Sequence, residues 1–175
     1  MRSAALLLLL LVMGCSPSAP VRTEPSGSSF PGALETVEVA RPGSPPAILR
    51  EVRAASQEGF DRVVFEFEGN AVPGYRVGYV DPPATQCGSG EPVQVEGTAR
   101  LQVRLVPAQA HTEAGEATVR ERERRPGLPV VKELESICDF EADVTWVLGL
   151  AARNRFRVQE LTGPPRLVID IEHGR

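Results

Sequence analysis

The sequence predicts an all-β chain: an antiparallel β-sandwich of two small sheets preceded by a disordered tether. Three observations predict it. Apolar residues recur with period two in at least seven short segments, as strands do when they bury one face and leave the other wet. Turn residues separate those segments, among them Asn70, Pro73-Gly74, Gly88-Ser89-Gly90, Pro126-Gly127 and Gly163-Pro164-Pro165. From Ile48 onward no stretch offers a convincing long amphipathic helix.

Residues 1–14 come first, with one basic residue, Arg2, and an apolar run of ten residues from Ala4 to Met13. A membrane span needs about 20 residues, so this run reads as a signal peptide. Its end, Val12-Met13-Gly14-Cys15, resembles the lipobox of bacterial lipoproteins. The resemblance implies cleavage before Cys15, a lipid on its sulfur and an acyl chain such as palmitate on the new amino terminus. The expected address is extracytoplasmic, lipid-anchored to a bacterial membrane in the cell envelope.

Residues 15–47 then read as the lipidated Cys and a linker, because Ser16 to Ala47 holds seven Pro, six Ser and three Gly in 32 residues and a single aromatic, Phe30. Such a stretch buries too little apolar surface to offset its ordering entropy. At about 3 Å per residue it would reach on the order of 90 Å. One patch inside it, Leu34 to Arg41, alternates Val37 and Val39 with Glu and leaves an edge strand open.

The domain is expected over 48–175, where eight of the nine aromatic residues lie. Its strands follow in order around Val63-Phe65-Phe67, Tyr75-Val77-Tyr79, Val93-Val95, Leu101-Val103-Leu105, Val144-Trp146-Leu148, Phe156-Val158 and Leu167-Ile169-Ile171. Between them, Ala108 to Arg125 is a charge-balanced excursion. Its Ala and Glu content allows a helix, while the alternation of Arg120 to Arg124 allows a solvated hairpin arm; the sequence does not separate the two.

Cys87 and Cys138 remain in the mature chain, and outside the cytoplasm disulfides persist. A bond between them would close a loop of about 50 residues, worth roughly 4 kcal/mol in the loop-entropy model. Two separate thiols are the alternative.

In this order and spacing, GFDRVVFEFEG (59–69), PGYRVGYV (73–80), GSGEPVQVEG (88–97), the segment from Leu101 to His111, FEADVTWVLGL (140–150), FRV (156–158) and PPRLVIDIEH (164–173) resemble the AMIN-like domain of bacterial secreted proteins and lipoproteins. The chain departs from that pattern in its two Cys and in Ala142, which stands where the family's Phe-Glu-Gly would put Gly. Such domains are related to the AMIN domain of cell-wall amidases and type IV pilus secretins. The resemblance implies a sandwich of two antiparallel sheets that localises a protein to the wall without catalysis.

Composition narrows the chemistry. With 19 Lys plus Arg against 23 Asp plus Glu, the net charge is −4, which argues against a nucleic-acid partner. Two His and three Cys argue against a four-ligand zinc site, and no cofactor or metal is expected. Neither His111 nor His173 stands in a nucleophile, zinc-protease or Cys-His context, so no catalytic residues are assigned. His173 is expected to cap the last strand.

Two readings of the exposed polar residues stay open. Asp61, Arg62, Arg166 and Asp170 suit ion pairs across neighbouring strands. Arg76, Tyr79, Arg155 and Arg157 suit hydrogen bonding and stacking on glycan or peptide carboxylates. On the second reading, Ala at 76 and 157 weakens binding and leaves the fold intact. The expected function is a membrane-anchored lipoprotein that binds peptidoglycan or an attached wall polymer, and the alternative is a protein-interaction module of an envelope complex.

Overall fold

The structure is a computed structural model that describes residues 30–81 and 83–174. The expected signal peptide, the expected lipidation site Cys15 and linker residues 16–29 lie outside the described residues. Among the described residues thirteen strands run in chain order: β1 (Val37–Val39), β2 (Ala47–Gln57), β3 (Phe60–Phe67), β4 (Gly74–Val80), β5 (Ala84–Thr85), β6 (Pro92–Val93), β7 (Ala99–Val106), β8 (Ala108–Gln109), β9 (Glu123–Arg124), β10 (Val131–Phe140), β11 (Asp143–Leu150), β12 (Phe156–Leu161) and β13 (Arg166–Glu172). No helix occurs among the described residues.

The strands form a six-stranded sheet, ordered β1-β4-β7-β11-β10-β9, and a five-stranded sheet, ordered β12-β13-β3-β2-β8. A two-stranded ribbon, β5-β6, is separate. The expected sandwich is therefore present, and its pairings are antiparallel except that β8 runs parallel to β2 at Ala47↔Ala108.

Period two explains the core. Val63, Phe65 and Phe67 of β3 and Leu167, Ile169 and Ile171 of β13 turn inward from one sheet. They meet Tyr75 and Val77 of β4, Leu101, Val103 and Leu105 of β7, and Trp146 and Leu148 of β11. Phe65 packs edge-on against Trp146 with ring centroids 6.3 Å apart. A one-residue slip in any of these strands would turn its apolar set to water, so the burial itself fixes the register.

β11 is buried on both faces. Its outer side carries Val147, which joins Ala84, Val95 and Ile137 in a second, smaller core outside the six-stranded sheet. The backbone of Glu96 crosses Gly149 so closely that a Cβ there would collide with the Glu96 carbonyl. Cys87 and Cys138 form the expected disulfide, with Cα atoms 5.2 Å apart, and tie this outer layer to β10.

Two expectations are corrected. The linker was expected to run to residue 47, but residues from Phe30 onward pack on the sandwich. Ala33 exchanges backbone hydrogen bonds of 2.9 and 2.8 Å with Phe156. β1 pairs with β4 through Val37↔Val77, so the open edge strand is real. Arg41 donates to the Pro73 carbonyl at 2.8 Å and to Glu160 at 2.9 Å. The cause is the Val37 and Val39 alternation plus Phe30, which together supply the apolar surface that composition averaged away.

The excursion from Ala108 to Arg125 is neither a helix nor a free arm. β8 joins the five-stranded sheet and β9 joins the six-stranded one. Thr118 donates its hydroxyl to Leu49 O at 2.6 Å and Arg124 donates to Val52 O at 3.1 Å. The segment therefore links the two sheets along one side of the sandwich.

Candidate functional site

β3, β12 and β13 set a layer of charge on the outer face of the five-stranded sheet. Register places Arg62 beside Asp170 and Asp170 beside Arg157. Asp170 is fully buried and accepts from Arg62 Nε at 2.7 Å, Arg62 Nη2 at 3.0 Å and Arg157 Nε at 2.8 Å. The Arg157 guanidinium also lies over the rings of Phe30 and Phe60, at 5.2 and 5.3 Å. Phe30 thus roofs the pair from within the expected linker. The hydrogen bond to Asp170 raises the already high pKa of Arg62.

Asp61, on the opposite parity of β3, is also fully buried. It accepts from the N–H groups of Val130 at 2.7 Å and Val131 at 2.9 Å, and pairs with His173 Nε2 at 2.8 Å. Burial pushes its pKa up, but the Val131 N–H, His173, the Val130 N–H and Ser56 outweigh burial and hold the carboxyl below its ordinary value. Arg166 stands apart from this layer and donates to Pro164 O at 3.2 Å.

The four candidate ligand-binding residues fall in three places. Arg157 spends its fork on Asp170, and Arg155 holds Glu172 through bonds of 2.9 and 3.1 Å. Tyr79, at the end of β4, donates its hydroxyl to Asn154 O at 2.6 Å, and Asn154 Nδ2 donates in turn to Glu172 O at 2.6 Å. Tyr79 and Arg155 are thereby linked through one loop. Burial pushes the Tyr79 phenol up to about 12, against the opposing pull of the Arg153 charge. Arg76 lies elsewhere, on the outer face of β4, 3.4 Å from Glu38 and opposite Arg104 in register.

Arg76 borders an open groove of about 320 Å³ along β1 and β4, walled by Arg41, Tyr75, Arg104, Val39 and Val106. Arg104 holds Asp143 at 2.6 Å, and Val106 is 39% exposed. Burial, then the charge and hydrogen bond of Glu160, push the Tyr75 phenol up to about 12. Cationic forks over apolar walls are what a ligand with both carboxylates and carbon faces requires. The sequence pointed to Arg76 alone. Arg41, Tyr75 and Arg104 join it only because β1 closes the edge of the sheet, and the alternation of Val37 and Val39 with Glu was the available signal.

Two His–Asp pairs are products of the fold that the sequence did not show: His173 with Asp61, and His111 Nδ1 with Asp139 at 2.9 Å. Among the described residues no hydroxyl or thiol is hydrogen-bonded to either ring, and both described cysteines are in the disulfide. Each pair serves the backbone. Asp139 accepts from Ala110 N at 3.0 Å, and His173 N donates to Gly59 O at 2.9 Å. Glu123, Glu133 and Glu135 bring carboxylate oxygens within 4.8 Å of one another. Arg125 pairs with Glu123 and, at 2.8 Å, with Glu133, so the charge there is already partly met. Burial, followed by repulsion from Glu123 and Glu133, raises the Glu135 carboxyl.

Comparison with known proteins gives one match. The family model of the AMIN-like domain matches residues 47–173. No curated protein and no solved structure matches the chain. The matched span opens with β2 and closes just after β13, so it takes in both sheets except for β1. With well over half of its 175 residues inside that match, the chain belongs to the AMIN-like domain family.

Proposed function

We propose that this protein is a membrane-anchored envelope lipoprotein whose AMIN-like domain binds peptidoglycan or an attached wall polymer and turns nothing over. The observation that carries the reading is the family match over residues 47–173, which points to an envelope-associated module. The lipobox-like end at Cys15 supports the anchor. For binding, the groove beside Arg76 supports a ligand that combines carboxylates with apolar faces. The lack of a nucleophile at either His–Asp pair among the described residues favours holding over cleavage.

The test is co-sedimentation of the full chain with purified sacculi. Wild type is expected to pellet, with Arg76→Ala and Arg104→Ala each weakening capture and added salt weakening it further, since exposed charge contacts are screened within about 8 Å at physiological ionic strength. Absence of the wild type from the pellet, or release of muropeptides by the purified protein, would overturn the reading.

A second reading, docking to an envelope protein, is favoured by one end of the six-stranded sheet. Phe140 is 61% exposed there, and it pairs with Asp143, next to the Val144 that pairs with Leu105. Exposed Val106 therefore shares that end. Crosslinking in cells at position 140 separates the two readings, because only docking yields a discrete protein adduct.

A further inference from the structure

Most arginines of the sandwich are committed. Arg41, Arg62, Arg104, Arg155 and Arg157 each hold a carboxylate within 2.9 Å. Arg100 is different. It projects from the outer face of β7, between Val80 of β4 and Gly149 of β11, beside the point where the Glu96 backbone crosses the sheet. Its Nε is buried and has no hydrogen-bond partner among the described residues. No salt bridge or side-chain hydrogen bond reaches the rest of its guanidinium there either, and those remaining nitrogens are not buried.

A buried N–H without an acceptor is destabilising, and among the described residues Arg100 is the arginine that carries one. Arg100 lines a pocket of about 280 Å³ together with Tyr79, Asp81, Thr98 and Arg153. Arg153 is itself loosely held. Its guanidinium stacks 4.7 Å from the Tyr79 ring centroid and meets Asp81 only at 3.4 Å, and the Asp81 side chain is 92% exposed. Two arginines thus line one pocket whose carboxylate, Asp81, is almost wholly exposed and meets only Arg153, at 3.4 Å.

We propose that this pocket, at the end of the sandwich where β4 stops and β7 begins, is a binding site for a carboxylate at the end of a peptide, received by Arg100 and Arg153 against the Tyr79 ring. A planar two-oxygen group matches the guanidinium fork. A phosphate dianion would be repelled more strongly by Asp81 at the rim. The stem peptides of the wall polymer are the natural source, and only that choice of source rests on the function proposed above.

The probe is N-acetylalanine, with N-acetylalaninamide and inorganic phosphate as controls, titrated into the full chain while the arginine Nε–H resonances are followed by NMR. N-acetylalanine is expected to shift the Arg100 and Arg153 signals saturably, and the amide is expected not to. Arg100→Gln and Arg153→Gln are each expected to weaken binding about tenfold or more, about 1.4 kcal/mol, with a β-sheet circular dichroism spectrum unchanged from wild type. Arg153→Gln is the check if Arg100→Gln fails to fold, because the Arg153 side chain is half exposed. The site is overturned if the Arg100 signal does not move, if the amide moves it equally, or if phosphate binds at least as tightly. The two proposals fail separately. An Arg100 signal that N-acetylalanine does not move, in a protein that still pellets with sacculi, removes this site and leaves the wall reading, whereas a saturable N-acetylalanine shift without sacculus binding removes the wall reading and leaves the site.

Discussion

At the turn between β10 and β11 the backbone holds two residues with side chains, Glu141 and Ala142, at φ 49° and 61°. Phe140 pairs with Asp143 across them, so the turn is a two-residue hairpin loop of the kind that favours Asn-Gly. An L-residue in the left-handed region costs roughly 1–2 kcal/mol, and glycine escapes that cost but brings more chain entropy to the unfolded state. Ala142→Gly is therefore expected to stabilise the fold by about 1 kcal/mol, read as a higher urea midpoint at unchanged slope. Arg157 behaves in the opposite way. The sequence alone expects Ala at 157 to weaken binding and spare the fold, but the partner of Arg157 is the fully buried Asp170. Arg157→Ala is expected to cost about 1–3 kcal/mol of stability, while Arg76→Ala, on an exposed pair with Glu38, leaves the midpoint unchanged. Asp61 gives a pH dependence. Its folded pKa lies below the ordinary Asp value, so the ionised carboxylate stabilises the fold fully above that ordinary value and this stability is lost as pH falls through the folded pKa. Urea midpoints measured down through this acid range should fall more steeply for wild type than for Asp61→Asn, which starts lower.

Strands β3, β4, β7, β11, β12 and β13 are legible in the sequence because their apolar residues keep strict period two. β2 and β10 are not legible, and the reason is physical. β2 shifts register between Leu49 and Glu51, and β10 shifts between Val131 and Glu133 and again between Ser136 and Cys138. Each bulge inserts one residue, so the inward Leu49 and Val52, like Val131 and Leu134, fall three apart and mimic no strand pattern. Ile137 then faces the outer core while Leu134 faces the inner one. The candidate site was legible only in part for a related reason. Arg76 and Tyr79 stand out on a regular strand, whereas Arg41 arrives on a three-residue edge strand and Arg100 is conspicuous only once its lack of an acceptor is known. The disulfide belongs to this scale too. It holds the β5-β6 ribbon and its four-residue core against β10 across 51 residues of sequence. Cys87→Ser with Cys138→Ser is expected to cost about 4 kcal/mol in the loop-entropy model. Hydrogen exchange should show the loss first at Ala84, Thr85 and Val93, while Val103, Trp146 and Ile169 in the main core keep their protection.

On the scale of the whole molecule, the sandwich begins earlier than its composition suggests, and this changes what an anchor at Cys15 would permit. With Phe30 and Ala33 packed against the five-stranded sheet, at most residues 16–29 are left as a tether between Cys15 and the described sandwich. Fully extended, a segment of that length spans at most about 50 Å, against the roughly 90 Å that a linker running to residue 47 would allow. On the proposed function, a wall ligand would then have to come within that distance of the membrane plus the size of the domain. The proposed anchor and the proposed binding surface are also separate in the chain, since every cationic group described around the groove lies at or beyond Arg41. Cys15→Ser is accordingly expected to abolish acyl labelling and to release the protein from the membrane fraction, while the released protein still pellets with sacculi in vitro. Deleting residues 18–28 is expected to do the reverse: acyl labelling and membrane retention persist, and crosslinking to peptidoglycan in cells falls because the domain no longer reaches it. Membrane retention of the Cys15→Ser protein without lipid incorporation would refute the anchor, and undiminished wall crosslinking by the shortened chain would refute the reach limit.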